Sequence, residues 1–164
     1  MYIQTKSTTI QLKAAVKVNT EMLKFYWSFG EDICEKQKQH KWGANFMKRL
    51  SLDLRAEFPQ AEGFSWSNLY KIRKWYLFYS SQIEFLYPAG TKLQKVDNAT
   101  TPMLDLLQFV PWRHQTVIVS KCTTINAALF YLNKVIEDNM SRTELEYVVK
   151  AQLYEHTGKA LNNF

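Results

Sequence analysis

Ser67, Asn68, Lys71, Arg73 and Lys74 lie within eight residues of one another in the stretch GFSWSNLYKIRKWYLFY, residues 63–79. That stretch holds seven aromatics and three cations but no Asp or Glu. Such a mixture suits contact with a polyanion. Lysine and arginine release counterions from phosphates, an asparagine amide can pair with an adenine edge, and aromatic faces stack on bases. Lys48 and Arg49, a little upstream in FMKRLSLDL, add two more cations of the phosphate-contacting kind.

Nothing comparable points to bond-making chemistry. His40, His114 and His156 stand alone, with no Cys or carboxylate at metal-ligand spacing. His114, beside Pro111 and Trp112 at a helix start, reads as structural. There is no phosphate-cradling glycine loop and no nucleophile motif. No cofactor and no catalytic residue is therefore expected. Cys34 and Cys122 lack the spacing of a zinc site or a disulfide framework and read as buried, reduced thiols.

The elements that must carry these residues are helical. The chain has 164 residues, 46% of them apolar, with only five Gly and four Pro. So few breakers among many good helix formers favour long helices. The net charge of +6 agrees with an anionic partner without requiring one. Apolar runs such as Trp75 to Tyr79 are far too short to span a membrane, and the first thirty residues hold no signal-like core. A cytoplasmic location without membrane contact is the expectation.

The spacing predicts a long first helix from about Thr8 to Gln39, with Val16, Leu23, Tyr26, Gly30, Ile33 and Cys34 along one face. A helix of that length exceeds what a compact half-chain covers, so part of it is expected to pack on another helix or form a homodimer. Gly30 reads either as a point of close backbone approach or as a helix break. A second helix is predicted over Ala44 to Glu57, with Met47, Leu50, Leu54 and Phe58 in its stripe and Pro59 ending it. The third opens after Ser65 as N-cap, with Phe64 and Leu69 spaced as a hydrophobic staple. Residues 81–102 read as a connecting loop between a 1–80 part and a 103–164 part. In the latter, Met103 to Phe109, a short helix after Pro111, and Ile125 to about Asn139 are periodic. The Ile125 helix shows a stripe of Ile125, Ala128, Leu129, Leu132, Val135 and Ile136. The last helix begins at MSRTEL, with Ser141 and Glu144 as a capping box, and is predicted to run to about Glu155. The fold class is all-α, either one bundle or two tandem helical subdomains.

On a helical wheel, Leu69, Ile72, Tyr76 and Tyr79 share the expected core arc of the third helix. Ser67, Lys71 and Lys74 fall opposite, flanked by Tyr70, Trp75 and Phe78, and Arg73 sits at the edge of the core stripe. The pair of helices has the outline of a helix-turn-helix, although the turn PQAEGF exceeds the usual three or four residues. In that outline Ser67, Asn68 and Lys71 face the groove. Lys48, Arg49, Arg73 and Lys74 meet phosphates, and Trp75 or Phe78 packs on sugars or bases. A helical hairpin with a basic surface fits the same spacing. The 125–155 pair repeats the outline with more balanced charge.

Five ordered motifs, FYWSFG, KWGANFMKRLSLDLRAEFP, GFSWSNLYKIRKWY, VPWRHQTVIVSK and NMSRTELE, together resemble the N-terminal domain of the YhcG family, over nearly the whole chain. Tyr26, Trp27 and Gly30 match its aromatic-Trp-x-x-Gly. Trp42, Gly43, Leu50, Ser51, Asp53, Leu54, Phe58 and Pro59 match its second motif. Gly63 to Ser65, Asn68, Leu69, Arg73, Trp75 and Tyr76 match the third, and Pro111, Trp112 and His114 the fourth. Arg113 and Met140 depart from it, where Gly and Trp are frequent. The resemblance implies a bacterial DNA-binding module preceding a nuclease domain of the PD-(D/E)xK type. The closing LYEHTGKALNNF looks like the segment leading into that domain, where the sequence stops, which implies a truncated or stand-alone module. No acid-and-lysine set of the nuclease kind occurs in these residues. The rival expectation is an oligomerisation or protein-docking scaffold, since Tyr, Trp and Arg also favour protein interfaces.

Overall fold

The structure, a computed structural model, describes residues 2–39, 45–81 and 106–162. Seven helices are found among them, and no strand: α1 Tyr2–Gln39, α2 Phe46–Glu57, α3 Trp66–Ser81, α4 Trp112–Lys121, α5 Ile125–Asp138, α6 Arg142–Lys150 and α7 Leu153–Asn162. The all-α expectation holds. Much of the predicted connecting loop, and the start of the Met103 repeat, lie outside the described residues.

Contacts divide the chain into two units, residues 23–83 and residues 1–22 with 84–164. The division falls inside α1. Its first turns belong with the C-terminal helices, whereas the sequence grouped the whole helix with α2 and α3.

In the 23–83 unit, α1 buries Leu23, Tyr26, Ile33 and Cys34, four of the residues on its expected stripe. Gly30 is a point of close approach and not a break. A Cβ there would lie 2.6 Å from Tyr76 Cβ and 3.4 Å from the Ile72 carbonyl. Trp27 uses that closeness to meet Trp75 and Tyr76 edge-on, at 5.6 and 5.0 Å between ring centres. Gly30→Ala is expected to lower the melting temperature by several degrees. Overpacking costs about 1–3 kcal/mol, more than the ~1 kcal/mol that alanine gains as a helix former. Thermal unfolding of the variant checks this, and a stabilised variant would contradict the close approach. On α2 the buried residues are Phe46, Met47 and Ser51. Phe58, expected in the core stripe, is exposed. It lies past the end of the helix, with its ring tilted at 45° to that of Phe64 and 6.2 Å from it.

In the other unit, α5 is held at its start by Thr124, whose Oγ1 accepts from the Ala127 amide, and at its end by Asn139 in the left-handed conformation. Its buried face includes Ala127 and Tyr131, which the expected stripe omitted, while Ile136 is exposed. The capping box of α6 forms as expected. Ser141 Oγ accepts from the Glu144 amide at 3.2 Å, and Glu144 Oε2 accepts from the Ser141 amide at 2.7 Å. That bond holds the Glu144 carboxyl below its ordinary pKa. The last helix does not continue to Glu155. It breaks at Ala151–Gln152, where Gln152 adopts φ 56°, and α7 restarts with its Tyr154 amide donating to the Tyr131 hydroxyl. The break lets α7 pack against α5.

Two amides fasten the turn ahead of α4. Buried Gln115 donates to the carbonyls of Leu107 and Val110, and Asn19 of α1 donates to those of Gln108 and Val110. Burial pushes the Cys122 thiol up to about 11, with Glu155 adding to the effect, and burial also raises Cys34. Neither thiol is a reactive thiolate near neutrality. Both are expected to resist alkylation at pH 8 until the chain unfolds. Because the folded pKa of Cys122 is raised, its stabilising contribution is complete below about 9 and falls as pH climbs towards 11. Thiol titration with and without denaturant, from pH 7 to 11, checks both statements.

Candidate nucleic-acid interface

The surface in question is the outer side of α3, and the turn before it is fixed by side chains. Ser51 Oγ on α2 donates to the Phe64 carbonyl at 2.6 Å. Phe64 is surrounded by Phe25, Phe29 and Phe58 at 6.1–6.3 Å between ring centres. Gly63 sits at φ 94°, a conformation that favours glycine. A Cβ on it would lie 2.8 Å from the Tyr26 hydroxyl. Ser65 caps α3 as predicted, accepting from the Asn68 amide N–H at 3.2 Å. The connection from α2 to α3 covers residues 58–65, longer than the turn of a standard helix-turn-helix.

Below the surface, α3 buries Leu69, Ile72, Trp75 and Tyr79. Two expectations are corrected here. Trp75 has no exposed area, so it cannot stack on a sugar or base, and Tyr76 is only half-buried. Phe78 is also half-buried, edge-on to Tyr79 at 5.0 Å. The core arc is rotated towards Trp75 because Trp27 reaches it from α1.

Ser67, Lys71 and Lys74 are exposed together on the outer side of α3, and Lys48 and Arg49 are exposed on α2. The Lys48 ammonium sits 5.8 Å from the Trp66 ring centre, and Trp66 meets Tyr70 edge-on at 5.7 Å. Lys74 follows Tyr70 by one helical turn, so cation, indole, phenol and cation form one row beside the Ser67–Lys71 strip. Trp66 is half exposed, at 50%. Sequence reasoning missed it as a surface aromatic; its four-residue step to Tyr70 was the available signal. No acid interrupts α3, and the three acids between Phe46 and Ser81 all lie in residues 53–62.

Two of the expected contact residues are engaged elsewhere. The Asn68 side-chain amide donates to the Gly63 carbonyl at 2.8 Å and lies 3.4 Å from the Tyr26 hydroxyl, so it braces the turn. An adenine-reading amide would have to give up that bond. Arg73 is half-buried, and its Nε donates to Gln37 Oε1 on α1.

Among the described residues no group of three or more His, Cys, Asp or Glu is placed to hold a metal ion, and no helix is long and apolar enough to cross a membrane. His114 Nε2 donates to the Met140 carbonyl at 2.9 Å, tying α4 to the start of α6. Comparison with known proteins adds one finding. The family model described as the DUF1016 N-terminal domain matches residues 2–156. No curated protein and no solved structure matches.

Proposed function

We propose that this chain, which belongs to the DUF1016 N-terminal domain family, is a non-catalytic DNA-binding module that holds a nuclease domain of the PD-(D/E)xK type against its substrate. The observation that carries the reading is the acid-free outer side of α3. There Ser67, Lys71 and Lys74 are exposed beside the Lys48–Trp66–Tyr70 row, on a helix whose entry is braced. Lys48, Arg49, Lys71 and Lys74 contact phosphates. Ser67 approaches the groove, and Trp66 and Tyr70 supply flat apolar faces to sugars or exposed bases. Arg73 contributes a guanidinium at the rim, and Asn68 contributes by fixing the turn. The test is anisotropy of a labelled duplex titrated with the chain at about 50 mM salt, a condition that favours phosphate contacts. Saturable binding is expected, and no change at tens of micromolar protein would defeat the reading.

A second reading, a homodimerising or protein-docking scaffold, is favoured by one observation. Ile10 and Val18 of α1 are 65% and 70% exposed. Light scattering across a concentration series separates the two, since a scaffold of this kind self-associates without DNA.

A further inference from the structure

The outer side of α3 offers more to the faces of bases than to their edges. A base inside an intact duplex is covered on both faces by its neighbours and shows only an edge to each groove. Reading that edge takes forked groups, a guanidinium on guanine or an amide on adenine. On α3 both such groups are committed within the protein. The Asn68 amide donates to the Gly63 carbonyl at 2.8 Å, and Arg73 Nε donates to Gln37 Oε1. The polar ends left on the outer side are the Ser67 and Tyr70 hydroxyls and the Lys71 and Lys74 ammoniums. An ammonium is a point charge without a fork.

Aromatic surface, in contrast, is open there. Trp66 is 50% exposed and Tyr70 39%. Their ring centres lie 5.7 Å apart and their planes stand at 86° to each other. Rings so disposed cannot extend a continuous stack, whose bases are parallel and about 3.4 Å apart along a strand. Each suits a base turned out of the stack. The Lys48 ammonium lies over the indole at 5.8 Å, near the ~6 Å limit of a cation–π contact, so a base can displace it. Among the described residues no carboxylate pairs with Lys71 or Lys74, which leaves both for the phosphates beside a stacked base. A single stacked base is worth roughly 5- to 150-fold in affinity. From an intact duplex that gain is consumed by the unpairing and unstacking of the base, a cost of similar size. Where bases are already unpaired, it is kept in full.

We infer that the α3 surface takes DNA containing unpaired bases in preference to an intact duplex, with Trp66 and Tyr70 as the stacking platforms. This rests on the DNA-binding reading and names its substrate class. Every base has a stacking face, so the preference is for DNA structure and not for sequence.

The test is anisotropy at about 50 mM salt on two labelled probes, a duplex and the same duplex with a central bubble of mismatched bases. Wild type is expected to bind the bubble at least about fivefold more tightly than the duplex. Trp66→Ala with Tyr70→Ala is expected to bind the two probes alike, whereas Trp66→Phe with Tyr70→Phe, which keeps both rings, retains the preference. Lys71→Ala with Lys74→Ala weakens binding to both probes and keeps their ratio. Equal affinities of the wild type for the two probes would overturn the inference and leave the DNA reading standing. A preference that survives loss of both rings would overturn it as well, since it would then come from the flexibility of the opened DNA. If the wild type binds neither probe, the DNA reading falls and the inference with it.

Discussion

Trp75→Ala is expected to lower the stability of the folded chain by about 3–5 kcal/mol, as truncation of a buried tryptophan does. In a chain of this size that is a drop of roughly 6–20 °C in melting temperature. The indole has no exposed area and is held edge-on between Trp27 at 5.6 Å and Tyr79 at 6.0 Å. Its loss removes dispersion contacts on both sides, and α1 and α3 cannot collapse fully onto the void. Tyr70→Ala on the outer side of the same helix is the control, with an expected change within about 0.5 kcal/mol. Thermal unfolding of both variants decides the matter. Equal effects would return Trp75 to the surface, where the helical wheel had put it.

That misplacement shows where the sequence stopped being legible. Periodicity located all the described helices except the split between α6 and α7. It identified the Ser65 cap, the Ser141–Glu144 box and most of the buried stripe of α1, because each depends on residues close together in the chain. It failed where a distant partner decides. Trp75 lies at the edge of its own helix's apolar arc, and only the approach of α1 at Gly30 brings Trp27 round to cover it. The Asn68 amide looked like a base reader because nothing local shows that the Gly63 carbonyl and the Tyr26 hydroxyl are waiting for it. The break after α6 depends likewise on Tyr131, twenty-three residues before Tyr154. The exposed cations were legible, since a lysine on the face opposite a strong apolar stripe has little else to do than meet solvent or a ligand.

Replacing Lys48, Lys71 and Lys74 together by Ala is expected to remove about 2.7 units from the salt slope of duplex binding, about 0.9 for each phosphate contact. Carried from molar salt down to about 50 mM, that amounts to a loss of affinity on the order of a thousandfold or more. All three side chains are exposed, so the fold should keep its stability within about 0.5 kcal/mol for each change. Lys48 also rests on the Trp66 ring, and its removal frees that indole as well as the charge. A retained slope with weakened binding would mean that the row acts through packing and not through phosphate neutralisation. An unchanged affinity would move the nucleic-acid surface elsewhere or remove it.

Mapping the backbone amide signals of the 19.3 kDa chain by NMR during titration with a duplex tests the central claim most directly. Perturbations are expected at Lys48, Trp66, Ser67, Tyr70, Lys71 and Lys74, while buried Leu132 and Leu145 stay unmoved. A duplex that binds but leaves the outer side of α3 unperturbed, or one that perturbs nothing at all, would contradict the account.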